Sequence, residues 1–265
     1  MRRVAPIVLA LLLAACRPER VELEYRFEEG ETFAYVMTAD ADASWTIGGT
    51  DGSGSYRIVV GVHERVEEVT AEGALVHVAM TPLEVREEGL PSPGSSRREF
   101  VLRAGSKGEV LDVLEVGGVA ADDLHPDELA FIGTYRPPLP LEPVRLRGTW
   151  ESEQQVSVGR VFQDVVTVGS LEALGLERGS AAARLAYTGE GPLVWTTSLP
   201  QGEAELNGAS QTRTVATVDL EEGMLRGARS TTRGNFEVRV MTSDQVEVTG
   251  TLELTLRLDL RAVDE

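Results

Sequence analysis

The 265-residue chain is poor in the residue types on which most catalytic and metal-binding chemistry depends. Cys16 is the only cysteine, so an internal disulfide and a Cys-x-x-Cys metal or redox site are excluded. Lys107 is the only lysine, which removes most candidates for Schiff-base chemistry. The histidines His63, His77 and His125 stand in three different segments, without the spacing of zinc ligands. We therefore expect no metal site and no cofactor.

The sequence also lacks the short motifs of common enzyme classes. It contains no Gly-x-Ser-x-Gly nucleophile elbow, no phosphate-binding loop and no Gly-x-Gly-x-x-Gly turn. No set of residues offers a nucleophile, a base and an orienting group together. We therefore expect a protein that is not an enzyme and has no catalytic residues.

The charge balance excludes a further class of partner. The chain has 43 acidic and 25 basic residues, a formal net charge of −18. Binding to nucleic acid needs clustered Lys and Arg, so no nucleic-acid partner is expected. Hydrophobic residues make up 42% and charged residues 26%, which is typical of a folded globular chain.

The N-terminus has the pattern of a secretory signal. Arg2 and Arg3 are followed by residues 4–13, ten residues without a charge. As a helix this run would span about 15 Å, against roughly 30 Å for the hydrocarbon core of a bilayer. It is too short to cross the membrane and indicates a signal peptide. Leu13, Ala14, Ala15 and Cys16 follow directly.

This stretch resembles the lipobox of bacterial lipoproteins, with Leu13, Ala14 and Ala15 as the cleavage flank of Cys16. The resemblance covers residues 1–17 and implies a signal peptide at 1–15 and a lipidated tether at 16–20. It also implies that acyl chains on Cys16 attach the protein to a membrane. The alternative is an ordinary secretory signal with an accidental cysteine.

The same resemblance implies a location in the cell envelope. Residue 17 is Arg, not the Asp that favours inner-membrane retention in enterobacterial lipoproteins. That favours the outer membrane, facing the periplasm. In a cell without an outer membrane, the outer leaflet of the cytoplasmic membrane is expected instead.

Alternating apolar and polar residues dominate the rest of the chain and predict strands. Apolar residues share one face over residues 33–47, and again over 246–262, a stretch of about 50 Å that we expect to curve. Residues 126–135 predict one short helix, followed by a Pro-rich connector at 136–143. We predict an all-β, mainly antiparallel fold of long curved strands, as a half-barrel or a sandwich, with that one helix.

The predicted fold is a single β-rich domain at 21–265, with halves at about 21–118 and 140–265. The halves contain similar motifs, since Gly30-Glu31-Thr32-Phe33 resembles Arg147-Gly148-Thr149-Trp150. Two glycine turns recur in the same order, at Gly73 and Gly179 and at Gly108 and Gly223. This suggests an internal duplication. Glycine turns recur in any β protein, so an accidental likeness is the other interpretation.

Three alanines mark the one candidate binding region. Ala39, Ala41 and Ala43 lie in a row on an otherwise bulky apolar face, and small residues in mid-strand leave room above a sheet. Either the predicted helix or a ligand fills that room. The other residues expected to line it are Phe33, Trp45, Phe131 and Trp150.

Two functions of different kinds remain. In the first, the concave sheet binds a hydrophobic ligand such as a lipid, and the architecture is similar in outline to the LolA- and LolB-type carriers, which hold lipid chains in an unclosed barrel. In the second, the protein is a structural or assembly lipoprotein that contacts envelope proteins and has no ligand. An empty apolar cavity of at least ~300 Å³ above the three alanines favours the first, and a face that is packed shut contradicts it.

Overall fold

The structure is a computed structural model that describes residues 20–90, 96–124, 135–158, 161–199, 202–242 and 246–263. Strands dominate these residues, and one short 3-10 helix spans Ala121–Asp123, so the predicted all-β fold is confirmed. The helix predicted at 126–135 lies outside the described residues, apart from its last residue. No helix within the described ranges is long and apolar enough to cross a membrane. The strands are β1 (Arg20–Val21), β2 (Thr32–Ile47), β3 (Thr50–Thr70), β4 (Gly73–Glu88), β5 (Arg98–Ala104), β6 (Val110–Val116), β7 (Val119–Ala120), β8 (Val144–Arg145), β9 (Thr149–Val158), β10 (Val161–Glu177), β11 (Ser180–Leu199), β12 (Gly202–Asp219), β13 (Leu225–Thr242) and β14 (Glu247–Ala262).

Twelve of these strands form one antiparallel sheet. Its order is β7-β6-β5-β4-β3-β2-β14-β13-β12-β11-β10-β9, and β1 and β8 form a separate pair. The last strand, β14, pairs with the first long strand, β2, and so joins the two halves of the chain. The outermost strands of the sheet, β7 and β9, do not pair with each other. The sheet is therefore open, as a half-barrel is.

The two halves repeat one strand plan. Strands β2–β7 and β9–β14 are six-strand meanders that run in the same order along the sheet, and β1 pairs with β8, its counterpart. Each half opens with the same pair of backbone hydrogen bonds. In the first half the Gly30 N–H donates to the Val66 carbonyl and the Val66 N–H donates to the Glu31 carbonyl, both at 2.9 Å; in the second, Arg147 donates to Leu171 at 2.7 Å and Leu171 to Gly148 at 3.1 Å.

Local irregularities repeat as well. A break in register follows Val66 in the β3–β4 pair and Leu171 in the β10–β11 pair. Gly73 and Gly179 occupy the equivalent β3–β4 and β10–β11 turns, with φ of 132° and 95°. Positive φ is a conformation that glycine adopts without steric cost. The repeated motifs of the sequence therefore fall at equivalent places in the two halves, as an internal duplication predicts.

One hydrophobic core, here called the central core, joins both halves. It includes Val76 of β4 and Leu185 of β11, which are fully buried although five strands separate β4 from β11 in the sheet. The sheet must therefore curve so that one face, the inner face, is concave. Leu23 and Leu139 belong to the same core, because the segments that precede β2 and β9 run between the two halves.

The segment after β1 is not a strand, although its sequence alternates between apolar and polar residues as a strand would. Only Arg20–Val21 pairs as a strand, and the backbone that follows bonds to hairpin turns instead. The Tyr25 N–H donates to the Ser106 carbonyl at 2.7 Å, and the Arg26 N–H donates to the Gly223 carbonyl at 2.9 Å. The alternation arises because one side of this segment is buried in the central core.

A buried ion pair holds the Pro-rich connector in the central core. The Arg136 guanidinium binds the Glu64 carboxylate of β3, and the Tyr135 hydroxyl donates to the same carboxylate. Burial alone would lower the pKa of Arg136, but the Glu64 charge together with the nearby Tyr135, Tyr35 and Tyr25 outweighs this and raises it. Burial and the Glu64 charge together raise the pKa of Tyr135 well above its ordinary value. The Arg136 and Tyr135 side chains therefore both keep their protons.

Candidate functional site

The inner face is closed at one end by the central core and at the other by a smaller cluster, the second core. The second core consists of Ala204, Leu206, Phe236, Val238 and Val240. Between the two cores the inner face is less covered, and this part is called the middle band. It consists of Ala39, Ala41, Ala43, Thr212, Thr214, Ser230, Thr232, Leu254, Leu256 and Leu258, which the strand registers of β2 and β12–β14 place side by side.

The β2 and β14 side of the middle band is apolar. Leu254, Leu256 and Leu258 of β14 are half-buried, and they pair in register with Ala43, Ala41 and Ala39. Ala41 and Ala43 are 1% and 6% exposed, so the neighbouring side chains already cover them. The accessible apolar surface of the band therefore comes from the leucines.

The β12 and β13 side of the middle band carries hydroxyl groups. The Thr214 hydroxyl donates to the Ser230 hydroxyl at 3.0 Å, and the hydroxyls of Thr212 and Thr232 share a hydrogen bond of 2.8 Å. Ser230 and Thr232 pair in register with Leu258 and Leu256. The band thus has an apolar side and a polar side, which suits an amphiphilic molecule. The sequence signal for it, hydroxyl residues two positions apart at 212 and 214 and at 230 and 232, was missed.

The structure brings some of the predicted lining residues together and separates others. Ala39, Ala41, Ala43 and Trp45 share one face of β2, whereas Phe33 lies about 40 Å from Trp45 along that strand and is buried in the central core. Trp150 also packs against the central core, with its ring edge-on to Tyr187 at 5.7 Å between centroids. The predicted residues outside the described ranges are Leu13, Ala14, Ala15, Cys16 and Phe131.

Part of the room beside the alanines is filled by the chain itself. Gly52 lies under the Trp45 ring, which leaves no space for a Cβ there. The backbone at Gly89 and Leu90 passes equally close over Gly54, the register partner of Ala43. Of the four glycines in residues 48–54, only Gly48 and Gly49 form a turn. Gly52 and Gly54 lie inside β3, where these close approaches require glycine.

Two surface recesses lie elsewhere in the structure. One, of about 470 Å³, includes Val215, Arg229 and Arg261 in its lining. The other, of about 310 Å³, includes His63 and His77. Neither recess is lined by the three alanines, so neither is the hollow expected above them. Among the described residues, no group of three or more His, Cys, Asp or Glu side chains is placed to hold a metal ion.

Comparison with known proteins gives structural similarity but no sequence match. No protein-family model matches the chain, and no curated protein matches it. Among solved structures, the chain is similar to one titled "Lipid-protein interactions in lipovitellin", with a TM-score of 0.49 and 11% sequence identity. The match covers 90% of this chain and 26% of the lipovitellin chain, so this chain spans about a quarter of that protein. The fold defines an open, all-β protein, and no family is established for it.

Proposed function

We propose that this chain is a lipid-anchored protein of the cell envelope, without enzymatic activity, whose middle band binds a hydrophobic or amphiphilic ligand such as a lipid. The single observation that carries the ligand part is the row of half-buried leucines, Leu254, Leu256 and Leu258, between two closed cores. The lipobox-like segment that ends at Cys16 supports the anchor and the envelope location.

The energetics of such binding follow from the band's composition. Each methylene group transferred from water to an apolar surface contributes about 0.8 kcal/mol. An acyl chain laid against the β14 leucines would remove apolar surface of both partners from water. A polar group of the same ligand could then exchange hydrogen bonds with the hydroxyls of Ser230 and Thr232, which are half-buried.

A structural or assembly role is the second candidate. Leu141 and Leu176 are 83% and 79% exposed outside the middle band. Exposed leucines of this kind lose contact with water when a protein partner covers them. In this account the protein remains lipid-anchored, contacts envelope proteins and has no ligand.

Filling the middle band should abolish ligand binding. The change Thr232→Trp places a large ring on the inner face, whereas Arg233→Trp places the same ring on the exposed outer face of the same strand. We expect delipidated wild-type protein and Arg233→Trp to bind palmitate in native mass spectra, and Thr232→Trp to lose at least nine-tenths of the bound palmitate. Equal binding by the two variants would place the ligand elsewhere, and no binding by the wild type would favour the assembly role.

Replacing Cys16 should remove the membrane anchor. Cys16→Ser lacks the thiol that accepts the lipid, so we expect complete loss of palmitate labelling in cells and of partitioning into the detergent phase. Arg17→Asp, which keeps the thiol, should retain both. Label that still enters the Cys16→Ser protein would show that the anchor is assigned to the wrong residue.

A further inference from the structure

The outer face of the first half brings together two histidines that are 14 positions apart in the sequence. The β3–β4 register places Arg65 opposite His77, and His63 opposite Ala79, so the two histidines are diagonal neighbours about 7 Å apart. Both line the recess of about 310 Å³, together with Thr32 and Arg97. A hydroxyl, two imidazoles and two guanidinium groups thus surround one surface depression.

Three carboxylates near this recess have arginine partners of their own. The Glu64 carboxylate lies on the inner face with Arg136, and Glu99 forms an ion pair with Arg97. Glu72 reaches the neighbouring Arg103 at 3.9 Å. Arg65 itself makes no ion pair with any residue in the described part of the chain. Because Arg97 is paired with Glu99, the positive charge that the recess offers is that of the exposed Arg65 guanidinium.

We propose that this recess binds a phosphate-class oxyanion, with Arg65 as the main contact. The planar guanidinium of arginine donates two parallel hydrogen bonds to phosphate oxygens, and these charge-assisted bonds are about twice as strong as neutral ones. The imidazoles of His63 and His77 and the hydroxyl of Thr32 offer further donors around the same anion. The site lies on the opposite face of the sheet from the middle band and does not depend on the proposed lipid binding.

Phosphate binding is tested on the full chain by titration with inorganic phosphate, followed through the NMR signals of the His63 and His77 imidazoles. We expect both signals to shift and saturate in the millimolar range. Arg65→Gln should raise the Kd about tenfold, because it removes a charge-assisted bidentate contact. Arg57→Gln is the matched control, since Arg57 is an exposed arginine on the same strand that pairs with Asp40 at 3.0 Å. It should leave the Kd unchanged.

Two outcomes would overturn the proposal: imidazole signals that do not respond to phosphate, and an Arg65→Gln protein that binds as the wild type does. A second titration with monomeric dihexanoyl phosphatidic acid separates the two sources of the anion. Tighter binding than inorganic phosphate, lost in Arg65→Gln, assigns the recess to a lipid headgroup. Equal or weaker binding assigns it to a free phosphate or a soluble phosphate monoester.

Discussion

Removing either member of the Glu64–Arg136 ion pair is expected to lower the free energy of unfolding by about 3–5 kcal/mol, since each single change leaves one buried charge without its partner. Glu64 is 2% and Arg136 is 6% exposed. The Arg136 guanidinium also lies over the rings of Phe27 and Tyr135, at 5.2 and 5.6 Å from their centroids. Losing it would therefore loosen both segments that run through the central core.

The pair is tested by a double-mutant cycle of Glu64→Leu and Arg136→Met, with urea unfolding followed by circular dichroism. The double variant buries no charge, so it should be more stable than either single variant. If the single variants do not fold, recovery of folded protein in the double variant reports the same coupling. As a control, the exposed pair of Asp42 and Arg257, at 2.7 Å, should contribute under about 1 kcal/mol. A loss of less than about 1 kcal/mol in the free energy of unfolding for a single change at Glu64 or Arg136 would contradict the prediction.

Acid should weaken the fold through Asp219, the fully buried last residue of β12, beside the turn to β13. Burial opposes its ionisation, but hydrogen bonds from the Glu222 N–H, the Ser180 hydroxyl, the Arg226 guanidinium and the Glu221 N–H outweigh this and lower its pKa to about 2. In the unfolded chain the carboxyl has its ordinary pKa near 3.8 and takes up a proton first. The ionised carboxylate therefore contributes about 2 kcal/mol above pH 5, and this is lost as the pH falls from about 4 to 2.

Comparing wild type with Asp219→Asn over this pH range isolates the effect. The asparagine side-chain oxygen can still accept hydrogen bonds from the backbone N–H groups of the turn. It is uncharged, so the ion pair with Arg226 is lost. We expect the variant to be less stable at pH 7 by about 2 kcal/mol and the difference to shrink below pH 4. Asp112→Asn, at an exposed carboxylate on β6, is the control and should change stability little at either pH. A difference at Asp219 that does not depend on pH would show that the charge is not the cause.

Strand prediction succeeded where one face is apolar and failed where the strands are polar. The regular alternation at 246–262 corresponds to β14, and the glycine turn recognised at Gly108 lies between β5 and β6. The first part of β13, from Leu225 to about Gly234, contains Ser, Thr, Arg and Gly and was not recognised as strand. Those residues cross the middle band, where cross-strand hydroxyl pairs replace apolar contacts. Hydrophobic periodicity cannot detect such a stretch.

The candidate site was predicted in part. The three alanines and Trp45 do share one face of β2, but their apolar neighbours come from β14, about 215 residues later in the chain. The repeated motif matched Phe33 with Trp150 in the sequence, yet the strand partners of these two residues differ. Phe33 lies opposite the ion-paired Glu64, whereas Trp150 lies over Gly169. Equivalent positions in the sequence thus acquired different packing in the two halves.

The amino-acid sequence by itself determined the all-β class, the long antiparallel strands, the repeated turns and the anionic surface, because each depends on local alternation, on glycine or on composition. The tertiary structure alone decided that β14 pairs with β2 and that the connector enters the central core. These features depend on contacts between residues far apart in the chain. They form only when the curved sheet brings its two halves around one core, and no local pattern encodes them.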